Sequence, residues 1–277
     1  MSVRTGAAMA PSALGDDIRR FVSLTFTLAA TEFKLSFFGS ALGYLWSLMR
    51  PLLLFGVLYV VFTQVIRFGE GIKHYPVYLL ASIVLFSYFS ETTSNSVTSL
   101  VQRENLLRKM RFPRMVIPMA VSLTSLFNLG MNLIAVLVFA LISGVDLRWS
   151  WLQLPFLVAI LVVLSVGLAM LLSALYPRFR DLSPIWDVVL QILFYATPIL
   201  YVLSFLPDEY ERAFLANPIA VVLTQMRHAL LDREAPSVFE AIGPDYRLLL
   251  PLGIVVGLFA LGLWVFKRET PRIAENL

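Results

Sequence analysis

The sequence has no cysteine among its 277 residues. Disulfides, thiolate metal sites and cysteine nucleophiles are therefore excluded. The two histidines, His74 and His228, lie far apart in the sequence and form no zinc-ligand spacing. Charge is also scarce, because Asp, Glu, Lys and Arg make up only 14% of the chain, against about 25% in soluble domains. This scarcity of charge excludes an ordinary soluble enzyme, a coiled coil and a disordered chain.

Apolar residues are correspondingly abundant. They form 58% of the chain, and the mean hydropathy is +0.79. Lipid admits only helices and closed barrels, because no backbone polar group can stay unpaired there. Long uncharged runs, rather than alternating segments of about ten residues, favour helices over a barrel. We therefore expect an all-α polytopic membrane protein.

Uncharged runs divide the chain into candidate spans of roughly 20 residues. Arg50 is the one charge that interrupts the first of them. The sequence predicts six transmembrane helices, near 43–66, 74–99, 114–142, 149–176, 183–204 and 246–267. The first 17 residues hold no apolar run long enough for a cleavable signal peptide.

The distribution of Lys and Arg predicts the orientation. With six spans both termini share a side, and the segments on that side hold 15 of the 22 basic residues. Basic loops stay in the cytoplasm, so both termini are expected to be cytoplasmic. The net charge of +4 is then explained by these loops and does not indicate nucleic-acid binding.

A helix is predicted before the first span. Polar and apolar residues each recur at spacings of three and four through the segment Asp16–Gly39. This pattern is typical of an amphipathic helix that lies on the membrane surface. Gly39 and Gly43 would allow the bend into the first span. The alternative is a plain N-terminal extension of that span.

A basic segment, Gln102–Arg114, separates the second and third spans, and Pro113 should end any helix there. One interpretation is an anchor for lipid headgroups. The other is a short helix near 102–113 that docks on a cytoplasmic partner, because its face mixes acidic and apolar residues with the basic ones. The candidate docking residues are Glu104, Leu106, Leu107, Arg108, Met110 and Arg111.

The segment between the last two spans, near 206–244, contains two helix starts. Asn217-Pro218 is the stronger, because Asn caps a helix and Pro suits its first position. Two short helices are expected, near 208–215 and 218–231, as a re-entrant or interfacial hairpin on the outer face; a plain loop is the alternative. Arg227 could hold a phosphate with two hydrogen bonds or extend to the outer headgroups. The candidate hairpin residues are Phe214, Asn217, Pro218, Met226, Arg227 and His228.

Several kinds of chemistry have no counterpart in the sequence. Glu91 and Asp187 are the acidic residues that approach the membrane, and both are expected near span ends, which argues against ion coupling. There is no phosphate loop of the GxxxxGK type, no metalloprotease motif and no nucleophile elbow. Any uphill transport would thus need nucleotide hydrolysis on another chain. Gly253 and Gly257 form a GxxxG pair that can bring helices close together.

Three segments resemble the type-2 ABC exporter permeases of the polysaccharide branch. LGYLWSLMRPLLLFGVLYVVF at 42–62 is similar to their first span, and LLRKMRFPRMVIPMA at 106–120 resembles their coupling-helix region. The segment 175–201 is similar to that branch's signature, with Arg180-Asp181 followed by Thr197-Pro198-Ile199. The resemblance covers most of the chain and keeps the order of the motifs.

The resemblance implies a function and a set of partners. Members of this family export lipid-linked polysaccharide, such as O-antigen, teichoic acid, capsule or galactan, across the bacterial inner membrane. It implies a homodimer with the path along the subunit interface, paired with two cytoplasmic ATP-binding subunits. ATP and Mg would bind to those subunits, and this chain would bind no cofactor or metal and catalyse no reaction. The N-terminal helix and the segment 102–113 would contact the ATP-binding subunit, and the outer hairpin would form a gate.

Two alternatives stay open: a permease for a drug or a small lipid, and an integral membrane enzyme acting on lipid-linked sugars. The first domain would be 1–40 and the transmembrane domain 41–277. Aromatic rings stack on sugars but also form membrane-interface belts. The channel candidates are Tyr44, Trp46, Phe55, Tyr59, Phe62, Phe194, Tyr195 and Tyr201. Arg178, Arg180 and Asp181 are candidates for a cytoplasmic rim that meets headgroups and the ATP-binding subunit.

Overall fold

The computed structural model describes residues 18–37, 43, 45–66, 71–104, 113–207, 210, 213–243 and 248–276, with side chains as far as 269. Every regular element in these residues is helical. The α-helices are α1 (Ile18–Phe37), α2 (Leu45–Val60), α3 (Tyr75–Gln102), α4 (Val116–Ile142), α5 (Gln153–Leu175), α6 (Leu182–Ala196), α7 (Pro218–Met226), α8 (Val238–Ile242) and α9 (Leu249–Asn276).

Four helical segments are long and apolar enough to cross a membrane: Leu45–Val65, Val116–Ile142, Trp149–Leu175 and Leu249–Glu269. They correspond to the first, third, fourth and sixth predicted spans. The chain is therefore a multi-pass membrane protein. The helix α6 is apolar but only 15 residues long, and α3 has 28 residues but a polar second half.

The helix α5 lies at the centre of the bundle, where it packs along α9 on one side and α3 on another. The α5–α9 contact depends on two glycines. A Cβ on Gly167 would lie 2.7 Å from the Phe259 Cα, and a Cβ on Gly262 would overlap the Gly167 carbonyl. By contrast, nothing lies within 4 Å of a Cβ at Gly253 or Gly257. The GxxxG pair of the sequence is thus not a helix contact within the described part of the subunit.

Among the helices, α3 is the most buried and α2 is one of the most exposed. Most α3 side chains from Tyr75 to Leu100 are buried, whereas Pro51 is the buried residue of α2 within its described length. The helix predicted before the first span is present as α1, which packs on α4. Phe26 and Phe33 each meet the edge or face of Phe127 at centroid distances of 6.1 and 5.6 Å.

Several boundaries differ from the sequence prediction. The fifth span was expected to reach residue 204, but α6 ends at Ala196 because Thr197, which precedes a proline, has extended geometry (ψ 141°). The helix α3, which corresponds to the second predicted span, extends to Gln102, beyond the predicted residue 99. Of the two glycines expected to allow a bend, Gly43 has a φ of +49°, in the region that favours glycine; Gly39 lies outside the described residues.

The segment after α6 contains the predicted helix start. The Asn217 Oδ1 accepts the backbone N–H of Ile219 at 3.0 Å, and α7 begins at Pro218. A π-helical turn, Arg227–Leu231, continues it. The five-residue α8 was not predicted; its capping box joins Ser237 and Glu240, and the Ser237 backbone N–H lowers the pKa of the Glu240 carboxyl. The first hairpin helix, expected near 208–215, falls partly outside the described residues.

Candidate functional site

A row of polar side chains runs along one face of the second half of α3. Glu91, Ser94, Asn95, Thr98 and Gln102 are spaced so that they share a helix face. They are half-buried or exposed, although the residues between them are mostly buried. This face of α3 is therefore turned away from the apolar core.

A second polar row lies on α6. Asp187, Gln191 and Tyr195 recur at every fourth residue, and all three are exposed. The Ser94 hydroxyl donates to the Asp187 Oδ1 at 3.4 Å, which joins the two rows. We call these two rows together the polar track. Polar side chains at membrane depth face a partner or a water-filled path rather than lipid.

A cleft of about 520 Å³ adjoins the α3 row, with walls from α1, α3 and α4 and from Ser183 at the start of α6. The described residues that line it include two carboxylates, Glu32 and Glu91, and one cation, Arg103. The others are hydroxyl or amide residues and two aliphatic ones, with no aromatic ring among those described. The described lining of the cleft is thus polar, with two carboxyl groups and one guanidinium.

The Glu91 carboxylate is held by α4. The Asn128 Nδ2 donates to the Glu91 Oε1 at 2.7 Å, and the Ser125 hydroxyl lies beside the same carboxylate. The Asn132 Nδ2 in turn donates to the Asn128 backbone carbonyl at 2.9 Å. The Asn128 Oδ1 is buried and accepts no hydrogen bond from the described residues. One acceptor of this network is therefore unused.

The helix α1 closes the other side of the cleft. The Arg103 guanidinium forms an ion pair with the Glu32 carboxylate, and the Thr124 hydroxyl donates to the Ala29 carbonyl at 3.3 Å. These contacts attach the surface helix to α3 and α4 at the end of the bundle where α3 ends and α4 begins. We call this the basic end, because Arg103, Arg178 and Arg180 lie there.

Residues 23–231 of this chain match the family described as ABC-2 type transporter. The chain belongs to this family. Similar proteins include the O-antigen export system permease protein RfbA of Myxococcus xanthus, which is 30% identical over 269 residues, covering 94% of this chain and 98% of the relative. A Klebsiella pneumoniae protein of the same name is 28% identical over 248 residues, or 89% and 92% of the two chains. The polysialic acid transport protein KpsM of Escherichia coli is 23% identical over 240 residues, or 86% and 90%.

Family membership assigns this ABC-2 chain a transport role rather than an enzymatic one, since its relatives are permease components. The described residues contain no group of three or more His, Cys, Asp or Glu side chains that could hold a metal ion. The family works with an ATP-binding subunit, and the relatives' names concern O-antigen and polysialic acid.

Of the aromatic residues predicted on the first span to line a channel, some lie close to one another and others do not. Phe55 and Tyr59 stack at a centroid distance of 5.6 Å, and Phe62 is half-buried with them. Trp46 is 57% exposed at the other end of α2, and Tyr44 lies outside the described residues.

The remaining channel candidates lie on α6 or shortly after its end. Phe194 packs against Phe86 at 5.4 Å, whereas Tyr195 is 61% exposed. The Tyr201 hydroxyl donates to the Tyr195 carbonyl at 3.2 Å. Tyr195 is thus the member of this group that also belongs to the polar track.

The hairpin residues make contacts within the subunit. Pro218 and Met226 are buried, and the Phe214 ring meets Tyr201 at 6.2 Å. An Arg227 nitrogen lies 3.8 Å from the Asp232 carboxylate, with both side chains mostly buried. The His228 Nδ1 lies 2.8 Å from the Ala235 carbonyl oxygen. In this arrangement the Arg227 charge faces Asp232.

The rim residues and the basic segment lie at the basic end. The Arg178 guanidinium covers Phe179 at 5.3 Å, and that of Arg180 covers Tyr176 at 5.4 Å. Asp181 precedes α6 without a side-chain cap bond. Among the docking candidates Glu104 is described, at the end of α3; Leu106, Leu107, Arg108, Met110 and Arg111 lie outside the described residues.

Two features of the site were not predicted from the sequence. Glu91 was expected near a span end, but it lies eleven residues before the end of α3, about 16 Å along the helix. The spacing of Glu91, Ser94 and Thr98 was a signal for a polar face. Asn128 was not predicted because it lies within an uncharged run, where an amide side chain does not stand out from the apolar residues around it.

Proposed function

We propose that this chain is the membrane subunit of an ABC exporter that moves lipid-linked polysaccharide across the bacterial inner membrane. It forms a homodimer with six spans in each subunit and both termini in the cytoplasm. The first 40 residues form the N-terminal segment with the surface helix, and residues 41–277 form the transmembrane domain. Two ATP-binding subunits supply the energy, and they bind the ATP and Mg.

The polar track is the observation that supports transport of a hydrophilic chain. Asp187, Gln191 and Tyr195 occupy the exposed face of a helix that is otherwise apolar. Charged and amide groups facing lipid would cost several kcal/mol in total, because each lacks a hydrogen-bond partner there. A path between two subunits would surround these groups with water and sugar hydroxyls instead.

The order of the remaining elements is consistent with this arrangement. The basic end, which carries Arg103, Arg178 and Arg180, would face the cytoplasm under the positive-inside rule. The segment 102–113 and α1 would then meet the ATP-binding subunit. The hairpin around α7 would lie at the outer mouth, where it could act as a gate, and Tyr195 would offer a ring to passing sugars.

Two adjacent residues of α6 provide a matched test. Gln191→Leu removes a polar group from the track, whereas Ile192→Leu changes an exposed apolar residue beside it. Each variant is expressed with its ATP-binding subunit in cells lacking their own permease, and surface polysaccharide is measured against the amount of permease in the membrane. We expect roughly tenfold less export for Gln191→Leu, the effect of about 1.4 kcal/mol, and near-normal export for Ile192→Leu. Equal export by both variants would remove the track from the path.

The partnership is tested separately. The purified chain alone should hydrolyse no ATP, because its sequence contains no phosphate-binding loop. Co-expression with the ATP-binding subunit should yield a complex with two copies of each chain, measured by mass in detergent. If a drug or a short lipid stimulates the ATPase activity of this complex and lipid-linked polysaccharide does not, the result would favour a small-molecule exporter.

A further inference from the structure

We propose that Arg50 on α2 forms an ion pair with Asp187 on α6 of a second copy of this chain. A two-fold symmetric dimer contains two such pairs, because each subunit supplies one arginine and one aspartate. The pairing rests on the homodimer of the proposed function, and it adds the two side chains that meet across the interface of the resting dimer.

Neither charge has an ion-pair partner within the described part of the subunit. Arg50 and Asp187 are the single charged residues of α2 and α6, and both are exposed. The ion pairs among the described residues include neither of them. The Glu91 carboxyl lies within electrostatic reach of Arg50, but it is bonded by Asn128 and is not within ion-pair distance of the arginine. Each helix thus presents one unmatched charge at its surface.

Each charge lies on an exposed helix face. Residues spaced by three and four share a face with Arg50 on α2 and with Asp187 on α6. The exposed residues that share these faces are Leu53, Leu54, Val57 and Val60 on α2, and Val188, Gln191, Ile192 and Tyr195 on α6. An arginine in such a face can extend to lipid headgroups, but the short side chain of an aspartate cannot. Asp187 therefore needs a cation or water beside it.

The two charges lie at matching depths, with α3 as the common reference. The Asp187 Oδ1 accepts the Ser94 hydroxyl at 3.4 Å, and Arg50 acts on Glu91. Glu91 and Ser94 are three residues apart on α3, which is about 4.5 Å along the helix. Arg50 and Asp187 also each follow the first residue of their helix by five positions. A guanidinium and a carboxylate at these depths can meet if α2 of one subunit packs against α6 of the other.

The signs of the charges select this pairing over the other symmetric ones. A contact of α2 with α2 across the two-fold axis would bring two arginines together at one depth, and a contact of α6 with α6 would bring two aspartates together. Like charges at an interface oppose association, whereas opposite charges fix its register. The contact of α2 with α6 satisfies both charges in both subunits.

Charge reversal in two differently tagged subunits tests the pair. Arg50→Asp or Asp187→Arg alone puts like charges at both contacts of its own dimer, but a mixed dimer of the two variants has opposite charges at both. We expect each variant alone to form about tenfold less dimer in detergent than the natural chain. The co-expressed variants should recover mixed dimers through both tags, which also shows that both chains fold. A mixture that forms no more dimer than the single variants would overturn the pair.

Cysteine cross-linking tests proximity directly, because the chain has no native cysteine. Arg50→Cys and Asp187→Cys are combined in one chain, and its complex with the ATP-binding subunit is treated in nanodiscs with a short bifunctional maleimide. We expect a product with the mass of two permease subunits, which neither cysteine alone should give. The control combines Arg50→Cys with Tyr195→Cys, eight residues or about 12 Å further along α6, and should give far less product.

The outcomes separate the pair from the homodimer itself. Cross-linking within one subunit, equal cross-linking of the control, or a dimer that gives no product would overturn the pair and leave the homodimer of the proposed function intact. A natural chain that purifies with a single copy in its complex would overturn both.

Discussion

At the scale of single residues, a cap sets the start of α7, and a cap is a local feature. Asn217 and Pro218 act through the backbone next to them, and the helix follows from those two residues. Glu91 could not be placed in the same way. Its environment depends on Asn128 and Ser125, which belong to another helix, and no local rule connects residues so far apart in the sequence.

The Asn217 side chain gives the first prediction. Its Oδ1 caps α7, and its Nδ2 donates to the Thr197 hydroxyl at 2.9 Å, so one amide joins α7 to the end of α6. Asn217→Ala should lower the free energy of unfolding by about 1–2 kcal/mol. Asn217→Asp keeps the acceptor and should lose less than half of that. Denaturant unfolding in detergent measures both, and equal losses would mean that the cap contributes little.

At the scale of helices, hydropathy located the apolar spans well and the polar ones less well. The spans α4, α5 and α9 follow from their uncharged runs. The end of α6 was missed by eight residues, because the apolar run continues past Pro198 while the backbone cannot stay helical before a proline. The sequence also pointed to the wrong glycines for helix packing. Gly253 and Gly257 match the GxxxG motif, whereas Gly167 and Gly262 make the contact between α5 and α9. Motif spacing does not show which helix face meets a neighbour.

The α5–α9 contact gives the second prediction. Gly167→Ala would place a methyl group against the backbone of α9, so it should lower the stability of the protein by about 1–3 kcal/mol. Gly257→Ala is the control, because nothing in the described residues lies within 4 Å of its Cβ. Thermal unfolding in detergent should separate the two variants. A Gly257→Ala variant as unstable as Gly167→Ala would instead point to a contact between subunits.

At the scale of the whole subunit, an ion pair and aromatic contacts attach α1 to the bundle. The two side chains of the Glu32–Arg103 pair are about one-fifth exposed. The sequence predicted α1 itself from its amphipathic pattern. It could not predict where α1 docks, because that depends on Phe127 and Thr124 of α4.

A charge swap tests this attachment and gives the third prediction. Glu32→Arg should place two cations together and speed chymotrypsin cleavage within α1 about fivefold, the effect of about 1 kcal/mol for a partly exposed pair. Chymotrypsin cuts after aromatic residues, so neither substitution adds a cleavage site. Arg103→Glu alone should act similarly, and the double variant should restore slow cleavage. If the double variant is cleaved as fast as either single variant, the aromatic contacts with Phe127 hold α1 and the ion pair does not.

The polar half of α3 also bears on how the chain enters the membrane during synthesis. Its second half, from Glu91 to Gln102, is rich in Ser, Thr and amide residues, and α3 is not among the helices apolar enough to cross by composition. A translocon that sorts segments one at a time would favour leaving such a helix in water. Burial against α4 and α5 supplies the partners that lipid lacks. We therefore expect α3 to be inserted only after α4 and α5 have been made, so that this part of the subunit enters the membrane as a group rather than one helix after another.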